Sequence, residues 1–447
     1  MEKKKILFLG GIFSLIDVVN KAKELGYYTI VTDYYDLERS PAKKVADKYY
    51  MISLADIDEV VKMIKEENIS GVITGFTDSY LEYYYEICKK AGLPCYGNLE
   101  QFMLCTNKEK FKDICRKYGV AVIPEYDIKE NYSQEDLKQI EYPVVVKPVD
   151  NSGSRGVFIC HNEQEFISSF EEALSYSPTK NVLVEKYIEG DGMSWYYTII
   201  DGTPILSAIT DTTFYYPSER VAPMRCGQLF PSRHLKEYMD TAHNNVKNMI
   251  KGLGMKNGVL FLQGFYGDGK FLIYEPGYRL NGGSTYRLIE KCCGYNQIEM
   301  LINFAVTGKM TKEENILRLE QPDFNGNYGF LLVIPLKKGK IKKVKGVEKI
   351  KELPDVDLYI QEYFEGEEVK VLGTTRANFA YILIVSDTKK ELANTIKSIH
   401  DNLIIENEYG EDMIFARYDN NELQEQQSNI VNVEEQYIDG EKDMMVV

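Results

Sequence analysis

From Ile6 to Tyr96, short apolar runs alternate with stretches of helical period, and this restricts the fold of the amino-terminal region more than any other feature. Ile6–Leu9, Tyr28–Thr32, Gly71–Thr74 and Pro94–Tyr96 read as strands; Leu15–Leu25, Ile57–Glu67 and Tyr80–Ala91 read as helices. Strands separated by helices pair in parallel, because a parallel connection needs a crossover long enough to hold a helix. The expectation is a doubly wound α/β domain. Its first turn, Gly10-Gly11-Ile-Phe-Ser14, lacks the full GxGxxG of a dinucleotide site, and Asp33 after the second strand reads as a turn cap. The opening Met1-Glu-Lys-Lys-Lys before an apolar run resembles a secretory leader. No small-residue cleavage site follows, and Asp17 and Lys21 soon interrupt the run, so a buried first strand is the better reading.

Beyond this region the pattern changes to α+β. A helix is expected over Lys108–Tyr118, an extended stretch over Gly119–Pro124, a strand in Tyr142–Pro148, a Gly/Ser-rich loop at Asp150–Gly156 and a strand at Val157–Cys160. A helix over Glu163–Tyr176 leads to the strand Val182–Ile188. Antiparallel strands are expected over Trp195–Thr213 and Val259–Tyr274, with one amphipathic helix, Leu235–Leu253, between them. Tyr328–Tyr418, with a helix at Thr388–Ile404, reads as a separate α+β domain. The acidic, Gln/Asn-rich end reads as a mobile tail. The expected boundaries are 1–105, 106–325 with a loop-bearing lobe at about 120–190, 326–418 and 419–447.

The 447 residues leave room for about three domains. With 53 Lys+Arg against 68 Asp+Glu the net charge is -15, which argues against a general nucleic-acid binder but leaves room for a local basic pocket. No apolar run reaches the ~18 residues of a membrane-spanning helix, so no membrane contact is expected. The eight cysteines (Cys88, Cys95, Cys105, Cys115, Cys160, Cys226, Cys292 and Cys293) form no CxxC, and the four His lack metal-ligand spacing. Reduced thiols in a cytoplasmic protein are expected rather than a zinc site.

Three constellations carry chemistry. In Val144-Val-Val-Lys-Pro-Val-Asp-Asn-Ser-Gly-Ser-Arg-Gly-Val157, a strand presents Lys147 at a sheet mouth. Gly153 and Gly156 then let backbone amides approach an anion, with hydroxyls from Ser152 and Ser154. The alternative is a solvated turn. In Val182-Leu-Val-Glu-Lys-Tyr-Ile188 a strand ends in Glu185-Lys186, an edge able to meet a flat heteroaromatic base; an ordinary charged turn is the alternative. In the third, Val259–Tyr266 and Lys270–Glu275 flank Gly267-Asp268-Gly269. With the hairpin centred on Gly269, Gln263 and Glu275 fall opposite each other, Cβ atoms about 5 Å apart. A hard cation shared between them would offset the cost of a buried carboxylate. Arg279 follows, placed to stabilise charge on a transferred phosphoryl group, unless Gln263, Glu275 and Arg279 form a structural network.

Together these stretches resemble the ATP-grasp superfamily over roughly Met1–Tyr418. The resemblance implies a pre-ATP-grasp doubly wound domain, a two-lobed ATP-grasp domain and a C-terminal α+β domain like that of the carboxylase and L-amino-acid-ligase branch. It assigns the nucleotide to Lys108 (in Thr106-Asn107-Lys108), Lys147, the loop residues Ser152, Gly153, Ser154 and Gly156, the adenine segment Glu185, Lys186, Tyr187 and Ile188, and Asp191 for the ribose. It assigns Mg²⁺ (or Mn²⁺) to Gln263 and Glu275, and catalysis to Arg279 with Lys147. Gly277 stands where the family has a metal-binding Asn, and Gln263 where many members have Glu, as in carbamoyl-phosphate synthetases. Arg225, Arg233, Gly282 and Gly283 are candidate substrate contacts, with ordinary surface arginines the alternative for the first two.

The activity so implied is an ATP-dependent carboxylate–amine ligase working through an acyl phosphate on small-molecule substrates, in a homodimer by analogy. Biotin carboxylation would need a separate carrier, and a carbamoyl-phosphate-type activity would need an ammonia source. A nucleotide-binding module that has lost turnover is the non-enzyme reading, favoured by Gly277.

Overall fold

A computed structural model describes residues 3–150, 156–216, 223–372, 374–423 and 430–431. Most of the acidic end expected as a tail therefore lies outside the described residues.

The alternating amino-terminal region forms a parallel sheet of β1 (Lys5–Leu9), β2 (Tyr28–Thr32), β3 (Lys48–Tyr50) and β4 (Ile69–Thr74), in the order β3-β2-β1-β4. The strands read as continuous apolar runs because helices cover them: Ile6, Leu7 and Phe8 are fully buried, as are Val18 and Val19 of the helix Leu15–Glu24. Pro94–Tyr96, expected as a strand, joins no ladder. It is held instead by Tyr96, whose hydroxyl donates to Tyr278 O at 3.1 Å while the Tyr278 hydroxyl donates back to Tyr96 O at 3.0 Å. Two helices follow, Leu99–Thr106 and Lys108–Lys117. Asn107 separates them, its side chain accepting from the Lys110 amide at 3.0 Å as a cap for the second.

A small antiparallel lobe contains β5 (Glu125–Tyr126), β6 (Val144–Pro148), β7 (Phe158–Cys160) and β8 (Val182–Lys186), ordered β5-β8-β6-β7. One face of this sheet packs on the helix Glu163–Tyr176, through Val144, Val146 and Val184 against Phe166 and Phe170. Side chains alternate along strands, so Val145, Lys147 and Glu185 point the other way.

The remaining strands are β9 (Asp191–Ile200), β10 (Thr203–Tyr215), β11 (Met224–Phe230), β12 (Gly258–Gly267), β13 (Lys270–Gly277), β14 (Tyr328–Pro335), β15 (Gly339–Lys345), β16 (Val356–Gln361), β17 (Glu368–Val369), β18 (Asn378–Ser386), β19 (Ile404–Asn407) and β20 (Ile430–Val431), the last paired in parallel with the end of β10. One sheet runs β13-β12-β9-β10-β11-β14-β18-β16, and β17-β15-β19 form a small one. The boundary expected at 325/326 therefore does not divide the sheets. β14 pairs directly with β11, Gly227 opposite Leu332, although β18 and β16 carry their own core on the helix Lys389–Asn402.

The single helix expected over Leu235–Leu253 is two, Leu235–Thr241 and His243–Gly252, broken at Ala242 (φ -121°). Thr241 donates its hydroxyl back to Glu237 O at 2.7 Å, a bond that bends helices. The break turns His243 into the interior, where Nδ1 lies 3.0 Å from the Tyr197 hydroxyl. Among the described residues no helix is long and apolar enough to cross a membrane, and all eight cysteines are free thiols.

Candidate functional site

The small lobe and the large sheet face each other across a cavity of about 350 Å³. Alternation decides what reaches it. Val145 and Lys147 on β6 line it, while their neighbours Val144 and Val146 are core. On β8, Val145 lies opposite Glu185, which puts Lys147 and Glu185 diagonally adjacent on one face, their charged ends 2.5 Å apart.

A third charge completes this cluster from the helix Lys108–Lys117. Lys108 and Lys112 are one helical turn apart and so share a face. Lys112, fully buried, donates to the Glu185 carboxylate, to Glu125 at 3.1 Å and to Ile123 O at 3.1 Å. Burial pushes the Glu185 carboxyl up, but the charges of Lys147 and Lys112 outweigh it and hold the group below the usual carboxylate range. Burial lowers Lys147 despite the attraction of Glu185, and the positive charges of Lys112 and Lys108 add to that lowering. Lys147 is thus a desolvated cation whose protonated form a phosphate would stabilise. Lys108 reaches the cavity from the same helix, 3.6 Å from the Glu275 carboxylate.

Gln263 and Glu275 do face each other, by a route different from the symmetric hairpin expected. Asp268 and Gly269 form a two-residue tip with positive φ at both positions (52° and 68°), so the hairpin is centred between them. That register continues to Gly264 opposite Ile273 and would set Gln263 against Tyr274. A bulge at this point leaves Tyr274 as the extra residue, and Glu275 becomes the partner of Gln263. Gly264 accommodates the bulge, since a Cβ there would lie 2.2 Å from Leu272 O.

Gly277 also has a steric reason. It pairs with Phe261, and a Cβ at 277 would lie 2.2–2.3 Å from two carbons of that ring. Phe261 therefore occupies the space an Asn side chain would need, and its ring carries the Arg279 guanidinium at 5.1 Å. Asn281 is engaged elsewhere, accepting from the Gly283 amide and the Thr285 hydroxyl, both at 3.1 Å.

Several anticipated residues meet in the cavity: Lys108, Lys147, Glu185, Lys186, Tyr187, Ile188, Arg225, Gln263 and Glu275. Four of these are cationic and two are carboxylates, a basic patch within an acidic chain. Aliphatic and aromatic groups, among them Ile123, Ile159, Met193 and Phe214, line the rest.

The other anticipated residues lie elsewhere. Arg279 is held by Asp78 of the first domain in a two-pronged ion pair (Nε–Oδ1 2.7 Å) and does not line the cavity. Asp191 and Arg233, expected separately as ribose and substrate contacts, bind each other, and His234 adds a 2.7 Å contact to Asp191. Neither lines the cavity; both carboxylate and guanidinium are committed to this cluster beside the buried Asp211. Gly282 and Gly283 line a second cavity.

Ser152, Gly153 and Ser154 lie outside the described residues. The ends of their loop are fixed: Asp150 accepts from the Ser177 hydroxyl at 2.7 Å and the Thr179 amide at 3.0 Å, and Gly156 (φ 75°) abuts Tyr176. Residues the sequence reading missed are Lys112, Asp78 and Phe261. Of these only Lys112 had a local signal, its one-turn spacing from Lys108.

The donor set suits a polyphosphate and a base: desolvated ammonium groups at one side, an apolar slot beside the β8 edge at the other. Among the described residues no group of three or more His, Cys, Asp and Glu gathers for a metal. Glu275 and the Gln263 side-chain oxygen fit a cation that takes its other ligands from phosphate and water.

Residues 140–273 match the family model described as an ATP-grasp domain. The formate-dependent phosphoribosylglycinamide formyltransferase of Sulfurisphaera tokodaii is 30% identical over 196 residues, which is 42% of this chain and 48% of the relative. The chain thus spans about half the length of that curated relative. The L-amino acid ligase of Bacillus licheniformis shares the fold at a TM-score of 0.74 and 18% identity, over 91% of this chain and all of that one. The biotin carboxylase domain dimer of the Hydrogenobacter thermophilus 2-oxoglutarate carboxylase, solved with MgADP, ADP and bicarbonate, does so at 0.69 and 19%, over 91% of each chain.

Proposed function

The chain carries an ATP-grasp domain, and from that premise we propose that it is an ATP-dependent carboxylate–amine ligase. ATP takes the cavity between the lobes, its base against Lys186, Tyr187 and Ile188 and its phosphates on Lys108 and Lys147. The substrate carboxylate attacks the γ-phosphorus, the bond to the β-γ bridging oxygen breaks, and ADP leaves an acyl phosphate. The amine nitrogen then attacks the acyl carbon. A C–N bond forms, the C–O bond to phosphate breaks, and phosphate and one proton are released. Bound at Glu275 and Gln263, Mg²⁺ (or Mn²⁺) would neutralise phosphate charge.

The chain's own residues contribute positioning and charge. Lys147 gains most from an incoming phosphate, because it is desolvated and shares its counter-ion Glu185 with Lys112. Arg225, pinned at 2.5 Å on Gln228 Oε1, is the cation available for a substrate carboxylate. We assign Arg279 to positioning through Asp78. A homodimer and a cytoplasmic location belong to the same proposal, the first by analogy with the dimeric carboxylase domain.

The observation that carries the reading is the buried Lys112–Glu185–Lys147 cluster at the mouth of an apolar slot. The test is phosphate release from Mg²⁺-ATP with an array of small carboxylates and amines. Release that requires one acid–amine pair supports the ligase. Nucleotide binding with no release on any pair, including ammonium as the amine, would assign a nucleotide-binding module instead.

A further inference from the structure

A second cavity, of about 320 Å³, lies next to the first and shares Thr375 with it. The loop after β1, the turn before the helix Thr285–Cys293 and the strands β14, β16 and β18 surround it. Its floor is aliphatic. Leu358 and Ile360, two apart on β16 and so on one face, meet Leu383 of β18.

Two charges of opposite sign line the same space, Glu362 just past β16 and Arg376 just before β18. Among the described residues neither the Glu362 carboxylate nor the Arg376 guanidinium has a hydrogen-bonded or ion-paired partner, and they do not bridge to each other. Partial burial pushes the Glu362 carboxyl above its usual range. A hydrocarbon ligand would leave both charges desolvated without compensation, and a simple anion or cation would satisfy one and oppose the other. A molecule with one ammonium, one carboxylate and an aliphatic body satisfies all three features.

We propose that this cavity binds the amine-bearing substrate, an aliphatic α-amino acid, with its ammonium on Glu362, its carboxylate on Arg376 and its side chain over Leu358, Ile360 and Leu383. The proposal rests on the ligase reading, and Thr375 marks where this substrate meets the nucleotide cavity. No residue of this cavity is needed to hold ATP, so the two claims fail separately.

The test is calorimetric titration of the full-length chain, saturated with Mg²⁺ and a non-hydrolysable ATP analogue. The titrants are leucine, isoamylamine (no carboxylate), 4-methylpentanoate (no amine) and glycine (no aliphatic body). Leucine should bind at least about tenfold more tightly than each of the others, the scale of one lost charge-assisted bond or one unburied side chain. Glu362→Gln should weaken leucine and isoamylamine about tenfold and spare 4-methylpentanoate. Arg376→Gln should weaken leucine and 4-methylpentanoate and spare isoamylamine. Both charges are at the surface side of the cavity, and both variants should bind the nucleotide as the parent does.

Absence of leucine binding, or leucine binding unchanged in both variants while the nucleotide still binds, overturns the assignment of this cavity alone. Binding of 4-methylpentanoate as tight as that of leucine also overturns it, since the site would then hold the acid substrate. Failure of the parent chain to bind the nucleotide overturns the ligase reading beneath it.

Discussion

Glu185 and His400 are both ionisable groups withdrawn from water, one at the inter-lobe cavity and one on the helix Lys389–Asn402. Glu185 keeps its charge because Lys112 and Lys147 flank it; burial alone would push it up, and the two cations more than reverse that. His400 has no such company. Among the described residues both ring nitrogens are sealed from water without a hydrogen-bond partner, and burial, with the positive charge of Arg417 added, lowers its pKa to about 4. The first environment is arranged to hold charge where charged ligands would enter. The second simply keeps a titratable group neutral.

The largest effect should come from breaking the paired cluster. Lys112→Met leaves Glu185 with one cation instead of two and removes one of the two cations paired with Glu125, the other being Arg116, and should cost about 3–5 kcal/mol in urea unfolding at pH 7. Adding Glu185→Gln should not recover that loss, because Lys147 then loses its counter-ion. A loss near zero for Lys112→Met would show that the cluster is no more than a solvated set of ion pairs.

His400 should act in a different pH window. Its folded pKa lies below the unfolded value of 6.5, so the unfolded chain binds the proton first as pH falls. Stability should therefore be unaffected by this group above pH 6.5 and decline by about 3 kcal/mol between pH 6.5 and 4. Glu185, with its pKa depressed, contributes stability above the usual carboxylate range and loses it only in stronger acid. Acid titration of stability should show both phases, and His400→Gln should remove the first alone. A parent curve that stays flat from pH 6.5 to 4 would contradict the account of His400.

Smaller effects probe the edges of the site. Gly277→Asn should cost about 1–3 kcal/mol in thermal unfolding through collision with Phe261, and Phe261→Ala should relieve the clash when the two are combined. If Gly277→Asn alone is neutral, Phe261 does not hold that space. Asp78→Asn removes the charge opposite Arg279 and should cost about 1 kcal/mol; no change in melting temperature would mean that the pair is not made in solution.

How much of this is legible in the sequence depends on how local the cause is. Three of the four strands of the first sheet, and the helix Ile57–Glu67, follow from periodicity alone, whereas the short edge strand β3, only three residues long, does not. Lys147 at the end of an apolar strand is equally local. The pairing of Gln263 with Glu275 follows from parity about Gly269, yet the molecule reaches it through a two-residue turn and a compensating bulge at Tyr274, which composition does not announce. Contacts with distant partners stay hidden. Arg279 meets Asp78 from 201 residues away, Asp191 is claimed by Arg233 and His234, and β11 pairs with β14 across the expected domain boundary. Such pairings are set by tertiary packing, and no window of sequence contains both members.

The central claim is that the lysines of this cavity hold ATP. Calorimetric titration of Mg²⁺-ATP into the parent chain and into Lys108→Met tests it most directly, because Lys108 is outside the buried cluster and its loss should leave folding intact. The account predicts saturable binding by the parent, at least about tenfold weaker in Lys108→Met at an unchanged melting temperature. A parent that does not bind Mg²⁺-ATP, or a variant that binds it equally well, would contradict the account.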